Sequence, residues 1–186
     1  MKKIISRFLL RLMGWELKEN SVPNLKKAVI LMAPHTSNMD FIIGRLAFNV
    51  LNIQAGFLIK RELFFFPLGP LLKKMGGIPV ERNRKSRLVD QLAYQFHKSD
   101  ELMLIVTPEG TRAYTKRWKK GFYYIAQRAE VPIVLGYLDY ARKVGGMGKV
   151  VYPSGDIDRD FVEIVNFYNG ITARYQENFC ENPSLR

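Results

Sequence analysis

From the first residues onward, Ile4, Ile5, Phe8, Leu9, Leu12 and Trp15 recur at helical spacing, while Lys3, Arg7 and Arg11 form a basic stripe on another side. This pattern predicts an amphipathic helix within residues 1–20, either packed on its own domain or lying in a membrane interface with its cations over anionic lipid. After a polar loop around Ser21 to Asn24, the unbroken apolar run Ala28-Val-Ile-Leu-Met32 reads as a buried strand, and Glu101-Leu-Met-Leu-Ile-Val106 reads as another. Between them the pattern predicts a helix starting near Met39, a strand over Ala55 to Ile59, a Gly/Pro-rich stretch, a short strand over Gly77 to Glu81, and a helix from Ser86 to Lys98. Beyond them it predicts a helix around Gly121 to Arg128, a strand over Val131 to Tyr137, a glycine-rich turn at Gly145 to Gly148, a strand over Lys149 to Tyr152, and a last helix over Phe161 to Phe179. Strands that look buried on both faces, alternating with helices, predict an α/β fold with a mixed, largely parallel β-sheet flanked by helices. Residues 21–186 read as a single domain without an internal linker.

A chain of 186 residues with 47% hydrophobic and 25% charged content suits one globular domain and excludes disordered, collagenous and repeat architectures. Its charge narrows the partners: 29 Lys and Arg against 17 Asp and Glu leave a net charge of +12, which favours anionic surfaces or ligands. A single Cys and two His cannot assemble a zinc site from those residue types alone, and no metal is expected. Asp156, Asp158 and Asp160 imitate the start of a calcium loop, but Phe161 and Phe167 stand where such a loop needs Gly and Glu. The longest stretch free of charged residues, Leu46 to Ile59, has 14 residues and is too short to span a bilayer, while Arg7 and Arg11 interrupt any secretory leader. A reducing, cytoplasmic-side location is therefore expected. No recognition helix, zinc motif or RNA-binding signature accompanies the basic charge, so nucleic acid is not the expected partner.

Two loops carry candidate chemistry. Pro34 ends the first buried strand and places His35 in a loop, and Ser37 with Asp40 three residues later has the form of a capping box that turns the Asp40 carboxylate back toward that loop. His35 and Asp40 can then meet. A carboxylate on one ring nitrogen fixes the tautomer of an imidazole and stabilises its conjugate acid, which suits a general base acting on a substrate hydroxyl. The second loop, Thr107-Pro-Glu-Gly-Thr-Arg112, also follows a strand, and ligands of open α/β sheets gather at the carboxyl ends of strands. There Gly110 permits close backbone approach, Arg112 offers a fork for phosphate, and Glu109 is placed to hold that guanidinium. Arg82 and Arg84 add cations after the short strand, and the Lys116-Arg-Trp-Lys-Lys120 run offers a further basic face.

Together these residues resemble the glycerol-3-phosphate and 1-acylglycerol-3-phosphate acyltransferase family, whose four sequence blocks stand here in order. The first is His35-Thr-Ser-Asn-Met-Asp40, with four residues between the His and the Asp; the second runs from Lys60-Arg-Glu-Leu-Phe-Phe-Phe-Pro-Leu-Gly69 to Gly77-Ile-Pro-Val-Glu-Arg82. The third is Pro108-Glu-Gly-Thr-Arg112, and the fourth is Val131-Pro-Ile-Val-Leu-Gly136, where Leu135 replaces a second Pro usual in the family. The resemblance covers about residues 28 to 137. It implies a glycerolphosphate acyltransferase-like fold and transfer of an acyl group from acyl-CoA or acyl carrier protein to a hydroxyl of a lysophospholipid resembling 1-acylglycerol-3-phosphate, with no further cofactor. His35 would act as base and Asp40 would orient it. Arg82, Glu109, Gly110, Thr111 and Arg112 would bind the acceptor's polar head, with Lys60 beside them. The same resemblance implies a peripheral protein on an anionic membrane surface, touched by the opening helix and by Phe64-Phe-Phe66. The alternatives are an acyltransferase for a lysolipid that is not a glycerophospholipid, and an anionic-lipid-binding protein without turnover, which would have no need of His35 and Asp40.

Overall fold

The computed structural model describes residues 1–18, 22–80 and 85–186. Seven strands form the main sheet in the order β1-β8-β7-β2-β5-β3-β4. They are β1 (Glu16–Lys18), β2 (Lys27–Met32), β3 (Ala55–Lys60), β4 (Gly77–Val80), β5 (Leu102–Val106), β7 (Ile133–Asp139) and β8 (Val144–Val151), while β6 (Arg117–Trp118) pairs apart from them with β9 (Ser184–Leu185). Every neighbouring pair in the main sheet runs parallel except β7 with β8. The expected mixed, largely parallel sheet is therefore present.

Helices cover both faces: α1 (Lys2–Leu12), α2 (Asn38–Leu51), α3 (Leu68–Lys74), α4 (Lys85–Lys98), α5 (Gly121–Arg128) and α6 (Ile157–Tyr168). The period-two geometry of β2 explains the layering. Val29 and Leu31 join a core built with Leu92 and Phe96 of α4, Phe122 of α5 and Ile164 of α6. Ala28 and Ile30 face the opposite core with Phe48 of α2. All four of these β2 residues are fully buried, which is why the run shows no polar alternation in the sequence.

The opening helix is shorter than the expected span of residues 1–20. Gly14, at φ +78°, ends it in a Schellman arrangement: its N–H donates to the Arg11 carbonyl at 2.9 Å, and the Trp15 N–H donates to that of Leu10 at 2.8 Å. Trp15 consequently leaves the helix and enters a small core with Leu10, Ile43 and Leu138, and residues 16–18 become an edge strand of the sheet. The helix docks on α2 through Leu10 and through Ser6, whose hydroxyl accepts from Asn49 at 3.1 Å. Its most apolar arc points elsewhere: Ile4 is 75%, Phe8 64% and Leu12 74% exposed.

Three other expectations change. The Gly/Pro-rich stretch holds a 3-10 turn, Arg61–Leu63, and the short helix α3. The glycines expected to form a turn at 145–148 lie inside β8, where they allow close approach; a Cβ on Gly146 would stand 2.9 Å from the Lys18 carbonyl of β1 and one on Gly145 2.7 Å from Leu138 of β7. The last helix stops at Tyr168 because Gly170 takes φ +80°, and the chain continues through a 3-10 turn, Gln176–Asn178. The Asp156 carboxylate caps α6 by accepting the Arg159 N–H at 3.1 Å, and buried Asp160 accepts the Tyr123 hydroxyl at 2.7 Å, so those acidic residues serve the fold.

Candidate active site

The parallel strands β2, β5 and β3 end on the same edge of the sheet, and their following loops bring the candidate residues together there. After β2, Ser37 adopts an extended backbone and caps α2, its hydroxyl accepting the Met39 N–H at 3.1 Å. Asp40 completes the capping box, and its Oδ2 accepts the backbone N–H groups of Ser37 and Thr36, each at 2.9 Å. The same oxygen lies 3.2 Å from His35 Nδ1. Asp40 is buried whereas the His35 side chain is 24% exposed, so one ring nitrogen is held from behind while part of the ring stays accessible. Burial opposes the charge of Asp40, but the bonds from His35, Tyr140 and the Ser37 N–H outweigh it and keep the carboxyl below its usual range.

Tyr140 was not legible as a site residue. It follows β7, the other neighbour of β2, and its hydroxyl donates to Asp40 Oδ1 at 2.6 Å. Burial, followed by the bond to the Asp40 carboxylate, raises the phenol above its usual range and keeps it a donor. From the C-terminal segment, the Tyr175 N–H donates to Thr36 Oγ1 at 3.2 Å, tying that segment to the same loop.

Glu109 has a different place from the one its spacing suggested. Its carboxylate is buried and turns to the first loop, where Oε1 accepts the His35 N–H at 3.1 Å; it does not pair with Arg112. The reason is geometric: β2 and β5 are adjacent and parallel, so the residue entering the second loop faces the backbone of the first. Oε2 has no hydrogen-bond partner, and burial pushes the carboxyl up to about 7 against the pull of the His35 N–H. The folded protein therefore keeps this proton over a range in which the unfolded chain has released it, and the contribution to stability falls as pH rises from 4.5 to about 7. Glu109→Gln keeps an acceptor for His35 and removes the titration. The variant is expected to lack a decline on the order of 3 kcal/mol over that window in urea melts. Parallel wild-type and variant curves would show that the carboxyl does not titrate there.

Gly110 takes φ +64°, and Thr111 Oγ1 accepts the Ala113 N–H at 3.2 Å, which tightens the turn. Thr111 and Arg112 are exposed on this loop. The Lys119 side chain lies across Gly110, so that a Cβ there would come 2.7 Å from Lys119 Cε; this places a lysine of the Lys116 to Lys120 run against the loop. Lys60, exposed, ends β3 on the same edge. Arg82 and Arg84 lie outside the described residues. Among the described residues there is no cluster of three or more His, Cys, Asp or Glu able to hold a metal.

The family model described as Acyltransferase matches residues 16–135, which include both loops. The 1-acyl-sn-glycerol-3-phosphate acyltransferase of Saccharomyces cerevisiae is 32% identical over 133 residues, covering 66% of this chain; the chain spans 43% of that relative's length. The crystal structure of the 1-acyl-sn-glycerophosphate (LPA) acyltransferase PlsC from Thermotoga maritima superposes with a TM-score of 0.62 at 17% identity, covering 94% of this chain and 79% of that one, and so shares the fold. On the length of the family match, the chain belongs to the acyltransferase family.

Proposed function

We propose that the chain transfers a fatty acyl group from acyl-CoA or acyl carrier protein to the free hydroxyl of a lysophospholipid resembling 1-acylglycerol-3-phosphate. The observation that carries this reading is the His35 and Asp40 pair: a partly exposed imidazole whose Nδ1 faces a buried, charge-stabilised carboxylate at the carboxyl edge of the sheet. Nε2 of His35 takes the proton of the acceptor hydroxyl as its oxygen attacks the thioester carbonyl. The new C–O bond forms, the C–S bond breaks, and the leaving thiolate regains the proton from the imidazolium. This route needs neither an acyl-enzyme nor a cofactor beyond the donor.

Arg112, with Gly110 and Thr111 shaping its turn, supplies the cation for the acceptor's phosphate, and Lys60 and Arg82 stand as further cations for that headgroup. Glu109 serves the acceptor indirectly, by fixing the backbone of His35. The test is transfer of labelled acyl groups from both donors to a panel of lysolipids in mixed micelles, comparing wild type with His35→Ala. Turnover of phosphate-bearing acceptors that is lost in the variant supports the assignment. Equal turnover of acceptors lacking phosphate would remove Arg112 from the headgroup site, and lipid binding without turnover by either protein would mark a lipid-binding protein.

The acceptor is amphiphilic, and the reading places the protein on the cytoplasmic side of an anionic membrane. Supporting it, α1 presents Ile4, Phe8 and Leu12 outward beside Arg7 and Arg11, and Phe65 and Phe66 are 57% and 86% exposed. Phe64 is half-buried. No described helix is long and apolar enough to cross a membrane. Changing Phe8 and Leu12 together to Ser removes about 3 kcal/mol or more of apolar transfer, which is expected to weaken partitioning to anionic liposomes over a hundredfold in flotation assays. Unaltered flotation would show that α1 does not enter the lipid.

A further inference from the structure

The stretch matched by the family model ends at residue 135, yet three bonds to the His35 loop or from its partners come from beyond it. Tyr140 OH meets Asp40 Oδ1 at 2.6 Å, the Tyr140 N–H donates to the Thr172 carbonyl at 2.9 Å, and the Tyr175 N–H meets Thr36 Oγ1 at 3.2 Å. The two oxygens of Asp40 are thereby divided. Oδ2 takes two backbone N–H groups and faces His35, whereas Oδ1 takes the phenol. Without the phenol, the described contacts leave one edge of the carboxylate unanchored, and rotation about Cβ–Cγ would exchange the oxygen presented to the imidazole. Tyr140 itself is held by its ring, which packs edge-on against Trp15 with centroids 5.0 Å apart.

We propose that Tyr140 is a positioning residue of the acyl-transfer site, its hydroxyl fixing the plane of the Asp40 carboxylate so that Oδ2 stays turned to His35 Nδ1. The inference rests on the reading of His35 as the base. The charged and titratable groups around the pair are His35 and Asp40 in the loop after β2, Glu109 after β5, Tyr140 after β7, and Arg174 of the C-terminal segment, whose charge acts on Tyr140. Tyr168 of α6, whose hydroxyl donates to the Leu31 carbonyl at 2.6 Å, lies behind Glu109.

Tyr140→Phe keeps the ring against Trp15 and removes only the hydroxyl. In the micelle assay, kcat is expected to fall about tenfold, the scale of one lost hydrogen bond to a charged group, with acceptor KM within twofold of wild type. An activity-independent readout exists: the chain has two His, and the NMR signal of the His35 Nδ1–H proton held against Asp40, assigned with a His97→Gln control, should broaden and exchange faster with water in Tyr140→Phe than in wild type, because the carboxylate loses its fixed plane. Unchanged kcat, or an unchanged His35 Nδ1–H signal, would make Tyr140 a packing residue and overturn the inference. Full activity in His35→Ala would instead overturn the reading beneath it, and the NMR signal distinguishes the two failures.

Discussion

His35→Ala is expected to lower acyl transfer by about 10³-fold while leaving the fold in place, since a positioned general base contributes about 10²- to 10⁴-fold. The fold survives because the loop is held by groups that the substitution does not touch. The backbone N–H of residue 35 still reaches Glu109, and the Thr36 and Ser37 N–H groups still reach Asp40. A variant with wild-type thermal stability and no turnover would isolate the chemistry. Activity within a few-fold of wild type would sink the base assignment, since exposed His97 on α4 is the only other imidazole in the chain.

Asp40→Asn should cost nearly as much, about 10²- to 10³-fold in kcat, for a different physical reason. The amide has one oxygen for the four groups that now share two: the N–H groups of Thr36 and Ser37, the His35 ring and the Tyr140 hydroxyl. If the amide oxygen keeps the backbone pair, its NH₂ faces the phenol and the capping box survives. The imidazole then lacks a full negative charge to stabilise its protonated form. Acceptor KM should change little, because no headgroup contact is assigned to Asp40, so kcat and kcat/KM should fall together. Stability should fall at neutral pH as well. The Asp40 carboxyl is lowered in the folded state, so its contribution is complete above the unfolded carboxylate range and is lost as pH falls through the folded value; the wild-type advantage over Asp40→Asn in urea melts should shrink in acid. A variant with unchanged kcat would mean that His35 needs no carboxylate.

The parts of this arrangement that depend on short-range pattern were legible in the sequence. The run Ala28 to Met32 announced a strand buried on both faces, and Ser37 with Asp40 announced a cap whose carboxylate turns back toward His35; both are local consequences of residue type and spacing. What depended on strand order was not legible. Glu109 looked like a partner for Arg112 three residues away, but β2 lies beside β5 and the carboxylate binds the His35 backbone across 74 residues. Tyr140 stands 100 residues from Asp40 and carries no local signal; only the placement of β7 on the other side of β2 brings it to the dyad. The glycines of β8 misled for the same reason, because they answer to neighbouring strands and read locally as a turn.

The sheet's edge strand β1 has a consequence for the order in which the molecule assembles. Residues 16–18 pair with residues 144–146, so this edge cannot form on the ribosome until most of the chain has been synthesised. Loop closure over such a separation is slow compared with local pairing, so β1 joins late, whereas α1 has its partner α2 close by in the sequence. Trp15 packs against Tyr140, so the same late event seals the wall behind Asp40. A nascent chain would thus carry its His35 loop capped before the wall behind Asp40 closes, which happens only as residues 15–18 return to meet residues 138–146.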